Sequence, residues 1–428
     1  MKLKKFGRAA LALAASAVTI LGMTSCTLSY TVGYLFITGS TPNSAGSGSG
    51  QIASYRIQND NGELHQTQTT GSGGGTNPIQ VVVNSSGTYL YVLNAGTGTD
   101  AHPAHSSIAL FSIGGYGAAT YQTSFSPQGF NTRNIVISGN FLYALDEFAP
   151  GTTGPNGTQS VGDISAFAVD PATGRLVTIL NNNQKDANGL PLTYFPVGTN
   201  PTWLAVSGAF AYTAEQGPVG VNNPNDPPQA IYIYNQSSTN GQLTPTQNTP
   251  LPTGATQLTY VYVTPQYVYA LDAGPVGSTG FILPFTVSSG GTLAAITGGA
   301  RANNAQGASP VFPSRMVKET SHGFIWVTGQ GINTNNNTPG SVVTAYTINT
   351  NGQLNDANTG GNILTVGSGP RCIVEDPSNQ YLYTANFNDS TITGKKIDQI
   401  AGTLQTLPKG LPAPPGSPTW CAVTGSTF

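Results

Sequence analysis

Two marks recur in phase along almost the whole of this chain, and together they leave few folds open. The first is a short aromatic strand: Tyr34-Leu35-Phe36, Tyr89-Leu90-Tyr91, Phe141-Leu142-Tyr143, Phe210-Ala211-Tyr212, Tyr267-Val268-Tyr269, Phe324-Ile325-Trp326 and Tyr381-Leu382-Tyr383. The second is a Gly-x-Leu turn, starting at Gly62, Gly174, Gly241, Gly291, Gly352 and Gly402; only the copy around Gly117 lacks the leucine. Successive aromatic marks lie 52 to 69 residues apart. The last period reads as four strands, Arg371 to Glu375, Tyr381 to Ala385, Thr391 to Ile397 and Leu404 to Leu407, parted by turns rich in Asp, Pro, Asn and Gly. Nothing in it repeats at helical spacing. Four strands per repeat at this period specify a β-propeller, one blade per repeat.

Seven aromatic strands therefore predict an all-β fold of seven four-stranded antiparallel blades. The chain joins the first blade at its second strand, near Tyr34, with no first strand before it. It ends on Pro418-Thr419-Trp420-Cys421-Ala422-Val423, which matches the first strand Pro201-Thr202-Trp203-Leu204-Ala205-Val206. The C-terminal strand is expected to complete the N-terminal blade, so that residues 26–428 form one closed ring with no exposed blade face.

Residues 1–25 stand apart from this pattern. Lys2, Lys4, Lys5 and Arg8 precede an apolar run from Ala9 to Gly22 that is too short to span a bilayer. Met23-Thr24-Ser25-Cys26 follows and resembles a bacterial lipoprotein signal, with Cys26 as the lipidated residue; an ordinary cleaved signal peptide is the alternative. Both imply export to the cell envelope, and a lipid on Cys26 would tether the chain without spanning the membrane.

Charged residues are 7% of the chain, so Gly, Asn, Ser and Thr must cover most of the surface. Without the four cations of the leader, 11 basic residues face 17 acidic ones, a net of −6. That excludes a nucleic-acid partner and an electrostatic membrane patch. No cofactor motif is present. Cys372 and Cys421 lie on first strands of neighbouring blades. Their side chains could point into one shared interface, but packed sheets lie about 10 Å apart and a disulfide needs Cα atoms within about 7 Å. Buried free thiols are therefore expected, with a disulfide as the alternative.

Long loops follow the aromatic strand at residues 94–107, 146–162, 215–229 and 329–340. All leave the same end of the same strand and should crown one face of the disc. The 69-residue spacing is ascribed to the largest of them, in the fourth blade. Two rings of residues converge on that face. One, at the start of the first strands, includes Ile79, Arg133, Thr202, Ser314, Arg371 and Thr419. The other, five residues past each aromatic start, is Gly39, Asn94, Asp146, Glu215, Asp272, Gly329 and Asn386.

YLYTAN at 381–386, the Gly-x-Leu hairpins and the Gly-x-Pro-Arg first strand resemble the seven-bladed lactonase family, which includes 6-phosphogluconolactonases and carboxymuconate cyclases. The resemblance covers about residues 30–428. It implies a polar site of His, Arg and Glu at the mouth of the central channel, binding a small anionic or sugar-derived ligand. Arg133, Glu147 and Arg371 match catalytic positions of that pattern, whereas Asn134 and Gln80 stand where the family carries His. Asp146, Glu215 and Asp272, with Asn134 and Gln80, are the candidate ligand-binding residues around them; capping of the turn that leaves each strand is the alternative for the three acids.

Lactone hydrolysis needs a group that activates water or protonates the leaving oxygen near neutral pH, a role that His suits. Two functions follow. One is an exported lactone hydrolase or cycloisomerase, with Glu147 as base and the arginines as anion holders. The other is a non-catalytic propeller that binds a small anionic ligand, a glycan or a protein partner through its loop crown. A monomer is expected in both. Asp100, His102 and His105 offer too few ligands for a metal site, His322 lies in a hairpin turn, and Trp203 and Trp420 read as interblade packing.

Overall fold

The computed structural model describes residues 29–41, 49–96, 105–151, 161–217, 229–246, 251–274, 280–303, 311–319, 323–332, 339–357 and 363–425. Cys26, the leader before it, Asp100, His102 and His322 lie outside the described residues. Seven antiparallel sheets of the expected kind are present, each ordered from the innermost first strand to the outermost fourth. Blade 3, for example, runs Phe130–Ser138, Phe141–Phe148, Val161–Val169 and Leu176–Thr178. Its second strand is buried at all eight positions because neighbouring blades cover both of its faces.

The ring closes through blade 1. Its first strand is C-terminal, Ser417–Gly425, and pairs with Thr31–Thr41 in a register that sets Phe36 opposite Ala422 and Thr38 opposite Trp420. The expected closure is therefore present. The extra length of the 69-residue period belongs to blade 3, however, not to a loop of the fourth blade. It includes a separate two-stranded hairpin, Asn181–Lys185 with Pro191–Leu192, placed after the fourth strand.

The two periodic marks turn out to be two halves of one contact. The third residue of the aromatic strand in one blade bonds the turn glycine of the next: Tyr91 to Gly174 O (2.7 Å), Tyr143 to Gly241 O (3.0 Å), Tyr269 to Gly352 O (3.0 Å), Trp326 to Gly402 O (3.4 Å) and Tyr383 to Gly62 O (2.7 Å). The first aromatic of the same strand packs flat on that glycine. A Cβ on Gly402 would meet the Phe324 ring at 2.4 Å, and its φ of +67° disfavours any other residue. Glycine is thus required twice over, by close approach and by backbone conformation. Gly62 extends the series around the ring by receiving Tyr381 and Tyr383 of blade 7.

The expectation of free thiols fails. Cys372 and Cys421 form a disulfide with Cα atoms 5.8 Å apart, joining blade 7 to the closing strand. Sheet spacing was the wrong measure, because blades splay like wedges and their first strands converge on the axis. The pair ties down the strand that closes the ring.

Candidate functional site at the channel mouth

Every first strand carries a register shift near its mouth end, one residue after the position that pairs with the end of the second strand. The shifted residues are Thr419, Ile79, Arg133, Thr202, Thr259, Ser314 and Arg371, counted from blade 1 to blade 7. A bulge re-aims a side chain out of the sheet's alternation. Seven equivalent bulges set seven residues at one level of the rim, where Thr202 and Thr419 bond the backbone of the next blade through their hydroxyls. The expected ring of first-strand residues is this ring, with Thr259 as its blade 5 member. It contains two cations and no acid.

Arg133 and Glu147 are brought together, with Arg133 Nη2 2.5 Å from Glu147 Oε1. The Asn131 amide donates to the other oxygen of Glu147. Both oxygens of this buried carboxylate are occupied, so Glu147 serves here as the counterion of Arg133.

The other three acids turn away from the channel. Asp146 accepts from Gly129 N (3.2 Å), Thr132 Oγ1 (2.5 Å) and Ser165 Oγ (2.8 Å). Glu215 accepts from Gly198 N (3.1 Å) and Thr213 Oγ1 (2.7 Å), and Asp272 from Thr256 N (3.0 Å), Gln257 N (2.8 Å) and Gly274 N (3.0 Å). Each braces the segment that leads into its own blade, the capping alternative in a more buried form. Asp163 lies opposite Asp146 in the paired third strand, and both are fully buried. Burial pushes Asp146 up to about 7 and Asp163 well above the usual carboxylate range, the second helped by its acidic neighbour. Burial likewise raises Glu215 to about 8.

The next residue along each first strand forms a second layer: Trp420, Gln80, Asn134, Trp203, Tyr260, Arg315 and Cys372. Several of them join their blade to the next. Gln80 Oε1 accepts from Ile135 N (2.6 Å), and Asn134 bonds both the N–H (2.9 Å) and the C=O (2.8 Å) of Leu204. Cys372 bonds Cys421 at the equivalent place. Gln80 and Asn134 are therefore buried, and each is engaged with the neighbouring backbone.

Arg315 was missed by the sequence reading, which stopped at Ser314. Its guanidinium lies over Trp203 (4.9 Å), Trp420 (5.1 Å) and Tyr260 (5.4 Å), and Trp203 stacks on Trp420 at 5.4 Å. These tryptophans thus meet across the axis, from blades 4 and 1, where interblade packing was expected. Arg315 Nη1 donates to Ser314 O (2.6 Å), while Nε is buried without a partner. Burial lowers its pKa to about 10; Tyr260 opposes the shift and nearby Arg371 adds to it. Arg371 lies over the Phe387 ring at 4.8 Å. The two arginines line one cleft of about 280 Å³ with Thr259, Phe312, Ser314 and Asn388, and no acid lines it among the described residues. Arg133 and Glu147 lie outside this cleft, so the predicted catalytic trio is divided between two parts of the mouth. Among the described residues, no three His, Cys, Asp or Glu side chains gather as a metal site. His105 packs against Phe130 at 4.4 Å.

Residues 46–190 match the profile of the family described as "Lactonase, 7-bladed beta-propeller". No curated protein sequence matches the chain. Among solved structures, the periplasmic gluconolactonase of Pseudomonas aeruginosa is 13% identical with a TM-score of 0.65, over 92% of this chain and 99% of that one. A protein from Bacteroides fragilis, provisionally described as a 6-phosphogluconolactonase, is also 13% identical, with a TM-score of 0.63 over 92% and 98% of the two chains. At such identities the structural likeness speaks for the fold alone. With the family profile on blades 1 to 3 and the same architecture around the whole ring, this chain is a lactonase-like seven-bladed β-propeller.

Proposed function

We propose that the protein is an exported, lipid-anchored propeller that binds a small anionic ligand of the sugar-acid type at its channel mouth, without hydrolysing lactones. The observation that carries this reading is the cleft shared by Arg315 and Arg371. Two guanidinium groups sit in one confined space with no acid among its lining residues, and no ion pair to either occurs among the described residues. Arg315 lies among three aromatic rings with its buried Nε unpartnered, while Arg371 is exposed at the same cleft. An anion between them would pair with both, and arginine matches a carboxylate in a two-pronged fashion. A ligand that enters the cleft meets the aromatic surface of Phe312 beside polar Ser314 and Asn388, which suits a sugar acid.

The case against hydrolysis rests on Gln80, Asn134 and Glu147. The two amides hold the backbone of the next blade, and Glu147 is paired with Arg133. Among the described residues that line the cleft, none is a carboxylate or imidazole that could act as a general base. Export is supported by the leader pattern and by the Cys372–Cys421 disulfide, which suits an oxidising compartment. Calorimetry with gluconate tests the binding. Arg371→Ala should weaken it about tenfold or more, since a charge-assisted contact is worth ~1.5–3 kcal/mol. Equal binding by wild type and variant would remove the cleft as the site, and turnover of glucono-lactone above the spontaneous rate would restore the enzyme reading. Replacing Cys26 by Ser should convert a membrane-bound protein into a soluble exported one.

A further inference from the structure

The face opposite the mouth carries seven tight turns, one between the third and fourth strand of each blade. Their tips are small or polar in five blades: Asp60-Asn61, Ala172-Thr173, Thr239-Asn240, Ser289-Gly290 and Asn351. Blades 2 and 7 break the rule. Blade 2 presents Tyr116, 75% exposed and held at a φ of +59°, and blade 7 presents Ile400, 94% exposed. Neither residue contributes to a core cluster. A tyrosine with left-handed backbone on an exposed turn is costly and brings the fold no packing.

These two blades flank blade 1, and blade 1 is where the chain arrives. The strand Thr31–Thr41 runs from this face toward the mouth, so the residues before it lie on the same side as Tyr116 and Ile400. Ser29 and Tyr30 are already fastened there. Ser29 Oγ donates to Gln58 Oε1 (2.5 Å), Tyr30 N to Asn59 Oδ1 (2.7 Å), and Asn59 N to Tyr30 O (3.0 Å). Tyr30 itself is 60% exposed. From Cys26 to Ser29 is three residue steps, at most about 10 Å of chain. A lipid on Cys26 would hold blades 7, 1 and 2 against the leaflet and could not reach the mouth face.

We infer that this edge of the disc docks on the lipid surface, with Tyr30, Tyr116 and Ile400 seated at the headgroup boundary around the tether, and that the mouth points away from the membrane. Tyrosine suits that boundary because its ring is apolar and its hydroxyl stays wet, and isoleucine adds an apolar plug beside it. The charges nearby are not those of an electrostatic dock. Asp60 and Asp398 are acidic, while Lys409 is paired with Glu63 at 2.6 Å. Attachment therefore comes from the tether and apolar contact and does not require anionic lipid. The inference rests on lipidation at Cys26 and is independent of what the mouth binds.

The test uses the full lipidated chain on phosphatidylcholine vesicles that carry nitroxide-labelled lipid. Tyr116→Trp and Ile400→Trp should each be quenched by label near the headgroups, while Asn388→Trp, at the mouth, should not. A vesicle-bound chain in which the first two reporters are no more quenched than the third overturns the docking face and leaves the anchor standing. A wild-type chain that does not bind vesicles overturns both. A concentration-dependent dimer of the Cys26→Ser chain that Tyr116→Ser and Ile400→Ser abolish would assign these residues to self-association and overturn the docking face.

Discussion

Blades 2 and 3 and blades 5 to 7 place different chemistry on equivalent backbone. On the first side, Gln80 and Asn134 bond the next strand, and Arg133 is matched by Glu147. On the second, Arg315 and Arg371 share a cleft with no acid among the described residues of its wall. Polar groups on the blade 2 and 3 side are consumed in holding the ring together. Those on the blade 5 to 7 side are held in place by aromatic faces, which stabilise a guanidinium without satisfying its N–H edges. On the proposed reading, stability and recognition fall to opposite parts of one rim.

The broadest way to break this comparison is to open the ring. Deleting residues 418–428 removes Trp420 from the arginine's stack and Cys421 from the disulfide together, and should abolish cooperative unfolding. A truncated chain that melts like the full one would refute the closure. Changing Cys372 and Cys421 both to Ala keeps the strand and removes only its covalent tie. Denaturant titration should show a loss of about 3 kcal/mol, with ligand binding at the arginine cleft preserved.

Asn134→Ala tests the structural side alone. It strands the N–H and C=O of Leu204 in a buried wall and should cost about 2 kcal/mol, whereas Arg371→Ala should leave the denaturation midpoint almost unchanged. If the two variants lose equal stability, the division of labour is wrong. The smallest effect is the pH dependence. Asp146 and Glu215 hold protons in the folded chain up to about 7 and about 8, above the usual carboxylate range of the unfolded chain. The folded state binds these protons more tightly, so their contribution is full below about pH 4 and is lost as pH rises through 7 and 8. The melting temperature should be lower at pH 8.5 than at pH 5.5, and Glu215→Gln should flatten the difference.

Much of the mouth is legible in the sequence. The first-strand ring was found from position alone, because seven in-phase repeats give seven equivalent starts. The second-strand ring was found equally well but aimed wrongly for three residues. Asp146, Glu215 and Asp272 do lie at the mouth end of their strands, yet their carboxylates face the incoming chain. Arg315 was within reach of the same alignment, since Pro313-Ser314-Arg315 sits over Pro201-Thr202-Trp203. Its importance depends on Trp203, Tyr260 and Trp420 arriving from three other blades, which no local pattern reports.

The amino-acid sequence by itself determined the number of blades, their strand order and the strand that closes the ring. Those follow from alternation, turn chemistry and period, which are properties of short segments. Tertiary structure alone decided that Cys372 meets Cys421, that Glu147 is occupied by Arg133, and that Arg315 and Arg371 line one cleft. Each depends on how closely first strands converge at the axis and on which way a bulge turns one side chain. Those are distances between segments far apart in the chain, and periodicity carries no record of them.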